Sequence, residues 1–256
     1  MTLTEPLHTL DILGVRVDRV DLPDLLVSLC DITYTEAPRS IFYLNVHTWN
    51  LARDNPDLCR ALKEADVVYC DGYGIRLGAW ILGESLPTRI TAADFLDEVC
   101  RRCMSDRRSI YILAGKEGVA QSAAKQLEKN FPQLKVVGFH HGYLRTEEEE
   151  ARVMGEIRRL EPDLLIVGMG SPQQELWIAR NLHLLNVKAG WAVGALFDFV
   201  TGKVPRAPQW LSAHGLEWLY RFIVEPRRLW RRYMVGNIRF LASVLVARVW
   251  NTIRRV

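Results

Sequence analysis

The chain has 256 residues, of which 49% are hydrophobic and 25% charged, and a net charge of +3. That length and balance suffice to bury a core unaided, which excludes a disordered, collagen-like or disulfide-built protein. Five cysteines (Cys30, Cys59, Cys70, Cys100, Cys103) are scattered through apolar segments, an odd number that points to a reducing compartment. The first eleven residues carry neither a basic start nor an apolar run, so no signal peptide is expected and the protein reads as cytosolic.

The charge is unevenly spread. Residues 206–256 hold ten arginines, no lysine and two acids, a balance of +8 that leaves −5 for the first 205 residues. The same segment holds Trp210, Trp218, Trp230 and Trp250, half of the eight tryptophans. A mildly acidic body with an Arg/Trp-rich tail implies that the tail meets something anionic.

In chain order, residues 10–17 predict a small hairpin. Short β-branched and aromatic runs then recur at 41–45, 66–70, 109–114, 135–139, 164–168 and 188–193, most followed by a turn and a helical pattern. The run at 109–114 leads through Gly115 and Gly118 into a helix over 119–130, closed by Phe131-Pro132. Thr146 before four glutamates predicts a helix start, because acids favour the positive end of the dipole. The fold class is α/β, a Rossmann-like and mostly parallel sheet covered by helices, with a helical C-terminal appendage. The expected division is a body over 1–202 and a membrane-associating appendage over 203–256.

In such a sheet, ligands sit beyond the carboxyl ends of the strands. Three strand ends stand out. Asn45 offers a donor and an acceptor for a sugar hydroxyl or base edge, or caps the next helix. His47 beside it reads as structural. Asp71, in Asp71-Gly72-Tyr73-Gly74, is placed to act as a general base, or simply turns the chain. Gly168 and Gly170 precede Pro172, Gln174 and Glu175, an arrangement suited to a diphosphate at a helix N-terminus or to a plain strand-to-helix turn. Neither glycine pair has the third glycine of the dinucleotide fingerprint, and no Walker sequence occurs.

Other groups carry less. Cys100 and Cys103 lack a second pair for zinc and fall late in a helix over 93–104, away from the end that activates a thiol. His140-His141 has no carboxylate or cysteine at ligand spacing and reads as a loop pair. No Asp-x-Asp occurs, which points away from a divalent-metal mechanism. In the tail, Met234, Ile238, Leu241, Leu245, Val249 and Ile253 form one helical stripe. The longest charge-free run within that stripe, 240–247, is far short of the ~20 residues that span a bilayer. The stripe fits an in-plane contact with an anionic membrane; the alternative is packing on the chain's own body or on a second copy of it. Nucleic acid is disfavoured, since no reading module is present.

Taken together, Asn45, Asp71-Gly-x-Gly74, Arg89-Ile-Thr, Gly168-x-Gly-x-Pro172-x-Gln174-Glu175 and Val193-Gly-Ala-x-Phe197-Asp198 resemble the WecG/TagA/CpsF family of bacterial glycosyltransferases. The likeness continues through Pro208-x-Trp210, Leu216-Glu217-Trp218-Leu219-x-Arg221 and Glu225-Pro226-x-Arg228 to Arg232-Tyr233. It departs at Tyr43, where the family often has a smaller hydroxyl residue, and at Ala92, usually glycine. The resemblance implies an inverting, metal-independent transfer of a hexose or N-acetylhexosamine, ManNAc-like, from a UDP-sugar. The implied acceptor is a sugar on a polyprenyl diphosphate, in cell-surface polymer synthesis at the cytoplasmic face of the inner membrane. No cofactor is implied. Carried onto this chain, Asp71 is the base; Asn45, Arg89, Gly168, Gly170, Gln174, Glu175 and Asp198 surround the substrates; Arg221, Arg228 and Arg232 meet diphosphate or lipid headgroups. A nucleotide-binding oxidoreductase and a non-catalytic membrane-recruited scaffold are the competing readings, and self-association through the tail is compatible with each.

Overall fold

The computed structural model describes residues 7–30, 37–205, 207–208, 211 and 217–254, without the side chains of residues 217, 221 and 228. The hairpin expected at the start forms from β1 (Thr9–Ile12) and β2 (Val15–Asp18), paired antiparallel from Thr9↔Asp18 to Ile12↔Val15. Leu13 (φ 55°) and Gly14 (φ 90°) both lie in the left-handed region, as the favoured two-residue hairpin turn requires. Asp18 is wholly buried, yet fully used. It accepts from Thr9 Oγ1 at 2.8 Å, from Arg16 Nε at 3.0 Å and from the Val68 backbone N–H at 2.7 Å, clasping the hairpin to the main sheet. Those donors offset the cost of taking a carboxylate out of water.

Strands and helices then alternate: α1 (Leu22–Cys30), β3 (Arg39–Leu44), α2 (Val46–Asp54), α3 (Pro56–Glu64), β4 (Val67–Cys70), α4 (Tyr73–Leu82), α5 (Ala92–Ser105) and β5 (Ser109–Ala114). They continue with α6 (Val119–Asn130), β6 (Lys135–His140), α7 (Glu147–Leu160), β7 (Leu164–Gly168), α8 (Gln173–Asn181), β8 (Ala189–Ala192) and α9 (Leu196–Val200). The C-terminal part holds α10 (Glu217–Val224), α11 (Pro226–Trp230), a π-helical turn over Arg231–Val235, and α12 (Gly236–Ile253). The bounds of β5, β7 and α6 are those expected from the sequence. Thr146 caps α7 as predicted, accepting from the Glu149 N–H at 3.2 Å.

The main sheet has six parallel strands in the order β4-β3-β8-β7-β5-β6. Side chains of one strand alternate between two cores. Ile41, Tyr69, Ile112, Ile166 and Trp191 pack on one face, and Phe42, Leu44, Val68, Leu113 and Val167 on the other. A sheet buried on both faces is why these strands read as continuous apolar runs. The chain runs from β3 outward to β4, then crosses to the far side for β5 and β6. The carboxyl ends beside β3 therefore form a crevice.

α12 lies on α2 and α4. Its Phe240 and Val244 are 3% and 0% exposed, with Phe240 edge-on to Trp49 at 4.9 Å between ring centroids. Gly78 of α4 makes room, since a Cβ there would stand 2.5 Å from the tip of the Phe240 ring. Two such side chains contribute about 1.5–3 kcal/mol each by burial. The stripe read from the sequence points elsewhere: Ile238, Leu241, Leu245, Val249 and Ile253 are exposed. They are centred roughly 140° round the helix from the Phe240/Val244 side. One helix thus carries a face packed on the body, the second of the sequence readings, and a separate exposed apolar face.

Candidate active site

Asp71 follows the last residue of β4, its N–H donating to Leu44 O at 2.9 Å. The bond continues the β3–β4 ladder by one step and fixes the backbone just as it leaves the sheet. Gly72 (φ 103°) then turns the chain into α4, in a conformation that side chains rarely adopt. The carboxylate is held from both sides. Asn45 Nδ2 donates to Asp71 Oδ2 at 3.2 Å, and Thr91 Oγ1 donates to Asp71 Oδ1 at 2.8 Å.

Asn45 satisfies both of its sequence readings. Its Oδ1 accepts from the Thr48 N–H at 3.0 Å and caps α2, while its amide nitrogen serves Asp71. Thr91 precedes α5 but makes no side-chain cap. Its hydroxyl instead accepts from Arg89 Nη1 at 3.0 Å and donates onward to Asp71. Arg89 is held further by Asp94 Oδ2 at 3.1 Å and lies 5.5 Å from the Tyr73 ring centroid. In the sequence Thr91 stands only as a member of the Arg89-Ile-Thr motif with no role of its own, and Thr91 with Asp94 three residues on has the pattern of an ordinary helix start.

These groups open into a cavity of about 1270 Å³ at the carboxyl ends of the strands. Asn45, Asp71, Arg89, Gly168, Gly170, Asp198 and Arg232 all line it, so the fold gathers seven of the expected site residues. Gly168 and Gly170 bring backbone to the wall; a Cβ on Gly168 would stand 2.8 Å from Gly194 O. Among the described residues, five cationic side chains (Arg76, Arg89, Lys116, Lys203, Arg232) face three carboxylates (Asp71, Glu84, Asp198), a net positive lining. His47 also lines it, and burial, with Arg232 second, lowers its imidazole to about 4.

Gln174 and Glu175 are placed differently from the sequence expectation. Both are 0% exposed and lie behind the wall. Gln174 Oε1 accepts from the Gly194 N–H at 2.9 Å, and its Nε2 donates to Glu175 Oε1 at 2.7 Å and to Tyr43 Oη at 3.2 Å. Ser171 Oγ donates to the same Glu175 oxygen at 2.7 Å. Burial raises the Glu175 carboxyl above its usual range and pushes the Tyr43 phenol up to about 12. The pair braces the Gly168–Ser171 turn and Gly194 from beneath, because the first turn of α8 faces the sheet rather than the crevice. Arg221 and Arg228 belong to α10 and α11, and their side chains lie outside the described residues. Among the described residues, no helix is long and apolar enough to cross a membrane.

The glycosyl transferase WecG/TagA/CpsF family matches residues 10–254. The chain is 26% identical over 244 residues to an N-acetylglucosaminyldiphosphoundecaprenol N-acetyl-beta-D-mannosaminyltransferase of Bacillus spizizenii, covering 94% of this chain and 91% of that protein. Proteins of the same name from Bacillus subtilis and Staphylococcus aureus are 28% and 26% identical, over 74% and 90% of this chain and 72% and 91% of their own lengths. With the match spanning the hairpin, every strand of the sheet and the C-terminal helices, the chain belongs to the WecG/TagA/CpsF family of glycosyl transferases.

Proposed function

We propose that the protein transfers an N-acetylhexosamine or related hexose from a UDP-sugar to a sugar carried on a polyprenyl diphosphate, with inversion and without a metal. The observation that carries this reading is the Asp71 carboxylate, held by Asn45 and Thr91 in a cavity lined with cations. The relatives' names give an acceptor of this chemistry, a sugar on a diphosphoundecaprenol. A cavity of about 1270 Å³ exceeds what one small ligand needs and suits two substrates at once.

In the reaction, the acceptor hydroxyl attacks the anomeric carbon on the face opposite the leaving UDP. Asp71 takes the hydroxyl proton as the new bond forms, and one displacement inverts the centre. Charge growing on the departing diphosphate is met by Arg232 and Arg89 and by the backbone at Gly168 and Gly170. Asp198 accepts from sugar hydroxyls. Gln174 and Glu175 act indirectly, by holding the wall. Arg221 and Arg228 are further candidates for diphosphate or headgroup contact.

Residues 1–202 act as the transferase body and residues 203–256 as the membrane-associating appendage. Leu77, Trp80, Leu86, Trp218 and Leu241 give the cavity an apolar part of its lining that suits the lipid end of the acceptor. Trp80 is 73% exposed, and the open face of α12 adds Val246, Val249 and Trp250. Such a surface, in a tail of +8, seats the enzyme on an anionic membrane at its cytoplasmic side.

The test is transfer by the purified full-length chain from a panel of UDP-sugars to a short polyprenyl-diphosphate-GlcNAc analogue, with the anomeric configuration read by NMR. Asp71→Asn should retain donor binding and lose ~10²–10⁴-fold in turnover. A retained configuration, or turnover within a few-fold of the parent, would overturn the assignment of Asp71.

A further inference from the structure

Outside the cavity, the carboxyl end of β6 and the first turn of α7 bring His140, His141 and Glu149 together. One ligand atom from each of the three lies within 4.8 Å of the other two. From the sequence, the histidine pair lacked a carboxylate; the loop between β6 and α7 supplies one from eight residues further on. His141 Nε2 stands 3.2 Å from Glu149 Oε1. Ligands bonded to zinc at about 2.1 Å in a tetrahedron stand about 3.4 Å apart, so this pair is already at coordination spacing.

Two of the three groups, His140 and Glu149, are also oriented as ligands are, while His141 Nδ1 is buried without a partner among the described residues. His140 Nδ1 lies 2.9 Å from His141 O. A carbonyl only accepts, so Nδ1 carries the proton and Nε2 keeps a free lone pair. The second oxygen of Glu149, Oε2, accepts from the Arg145 N–H at 2.9 Å. Outer contacts of this kind, an imidazole N–H on a carbonyl and a hydrogen-bonded carboxylate, are what metal ligands make. The His141 and Glu149 side chains are 25% and 21% exposed, shielded but open to an entering ion.

We propose that His140, His141 and Glu149 form a three-ligand site for a zinc-class divalent transition metal, completed by water, which pins the β6–α7 loop. Two imidazoles and one carboxylate are the donor set that such ions favour over calcium or magnesium. The loop borders the active cavity without the ligands entering it: Tyr143 lines the cavity, while His140, His141 and Glu149 do not. Gly142 donates to Gly115 O at 2.9 Å, and a Cβ on it would stand 3.0 Å from Met169. Metal binding would therefore stiffen one rim of the cavity while leaving the chemistry at Asp71 metal-free.

The site is tested on the full chain, freed of any histidine tag and of bound metal by dialysis against chelator. Titration with Co²⁺ should give one equivalent, with visible d–d absorption and no thiolate charge-transfer band, displaced by Zn²⁺. His141→Asn and Glu149→Gln should each weaken binding at least tenfold, while His183→Asn binds as the parent. Zn²⁺ should raise the melting temperature of the parent and not that of the two variants. If Glu149→Gln perturbs the start of α7, seen as lost helical circular dichroism, His140→Gln removes a ligand from the strand side instead. No Co²⁺ uptake at hundredfold excess, or undiminished uptake by His141→Asn and His140→Gln, would overturn the proposal. Neither readout depends on glycosyl transfer.

Discussion

Asn45 and Asp71 face each other across the ends of two adjacent parallel strands, amide nitrogen donating to carboxylate at 3.2 Å. The other end of the same amide accepts from the Thr48 N–H at 3.0 Å and caps α2. A single side chain therefore starts a helix and positions the proposed base. Asn45→Asp separates the two duties. Aspartate caps a helix as well as asparagine does, but sets a second carboxylate against Asp71 where a donor had been. The variant should melt within a few degrees of the parent while turnover falls by at least a hundredfold. Comparable losses of stability and turnover would make Asn45 a structural residue only.

Thr91→Val probes the opposite side of the carboxylate. The change keeps the shape and removes the hydroxyl that accepts from Arg89 and donates to Asp71. A hydrogen bond to a charged group contributes about 1.5–3 kcal/mol, so turnover should drop roughly ten- to hundredfold. Because Thr91 makes no cap, α5 should be unaffected. Thr91→Ser, which keeps the hydroxyl, should restore most of the activity. Failure of serine to rescue would point to packing as the role of Thr91.

The strand ends were legible in the sequence because a sheet buried on both faces leaves uninterrupted apolar runs, and ligand-facing residues come directly after them. Asn45, Asp71 and Gly168 stand at or just after such ends and line the cavity. Gln174 and Glu175 also follow a strand, a position that predicts a place in the crevice, yet both are buried behind its wall. Only the direction in which α8 leaves its turn shows that they point into the core. Thr91 hid behind a capping pattern, and Glu149 is brought to His141 by a turn that one-dimensional ligand spacing does not reveal. The docking of α12 was obscured because Phe240 and Val244 are as apolar as the exposed stripe; what distinguishes them is Gly78 on the facing helix.

Metal removal bears on the proposed mechanism. With cations lining the cavity and no Asp-x-Asp in the chain, transfer should persist in excess EDTA. A strict requirement for Mn²⁺ or Mg²⁺, restored by adding the ion back, would place a metal on the donor diphosphate. Zinc-class ions at the β6–α7 loop are a separate matter, read by binding and melting rather than by loss of turnover.

His47 makes stability depend on pH. Burial, with Arg232 second, lowers its imidazole to about 4 from an ordinary 6.5. Between these values the unfolded chain takes up a proton that the folded chain refuses, so stability rises with pH across that window and its contribution is complete above about 6.5. His47→Gln should flatten the rise. Urea midpoints at pH 5 and pH 7 measure it: the parent should gain more between the two than the variant. An equal gain in both would show that His47 titrates alike in the folded and unfolded chain.

The tail is best tested without truncation. Removing residues 226–256 would uncover Trp49, buried beside Phe240, and would confuse lost membrane contact with lost packing. Replacing exposed positions spares the core: Ile238, Val249 and Ile253 are 68%, 59% and 63% exposed. The triple serine variant should keep the parent's melting temperature, since exposed substitutions typically change stability by within about 0.5 kcal/mol. Parent protein should co-sediment with vesicles containing anionic lipid, and less so as salt rises, because each basic residue near the surface contributes ~1 kcal/mol that salt screens. The variant should bind these vesicles at least tenfold more weakly and transfer more slowly to a lipid-linked acceptor, with undiminished activity on a short, water-soluble analogue. Equal vesicle binding by parent and variant would show that the apolar face of α12 serves something other than a membrane. Parent binding indifferent to lipid charge would remove the arginines from the account.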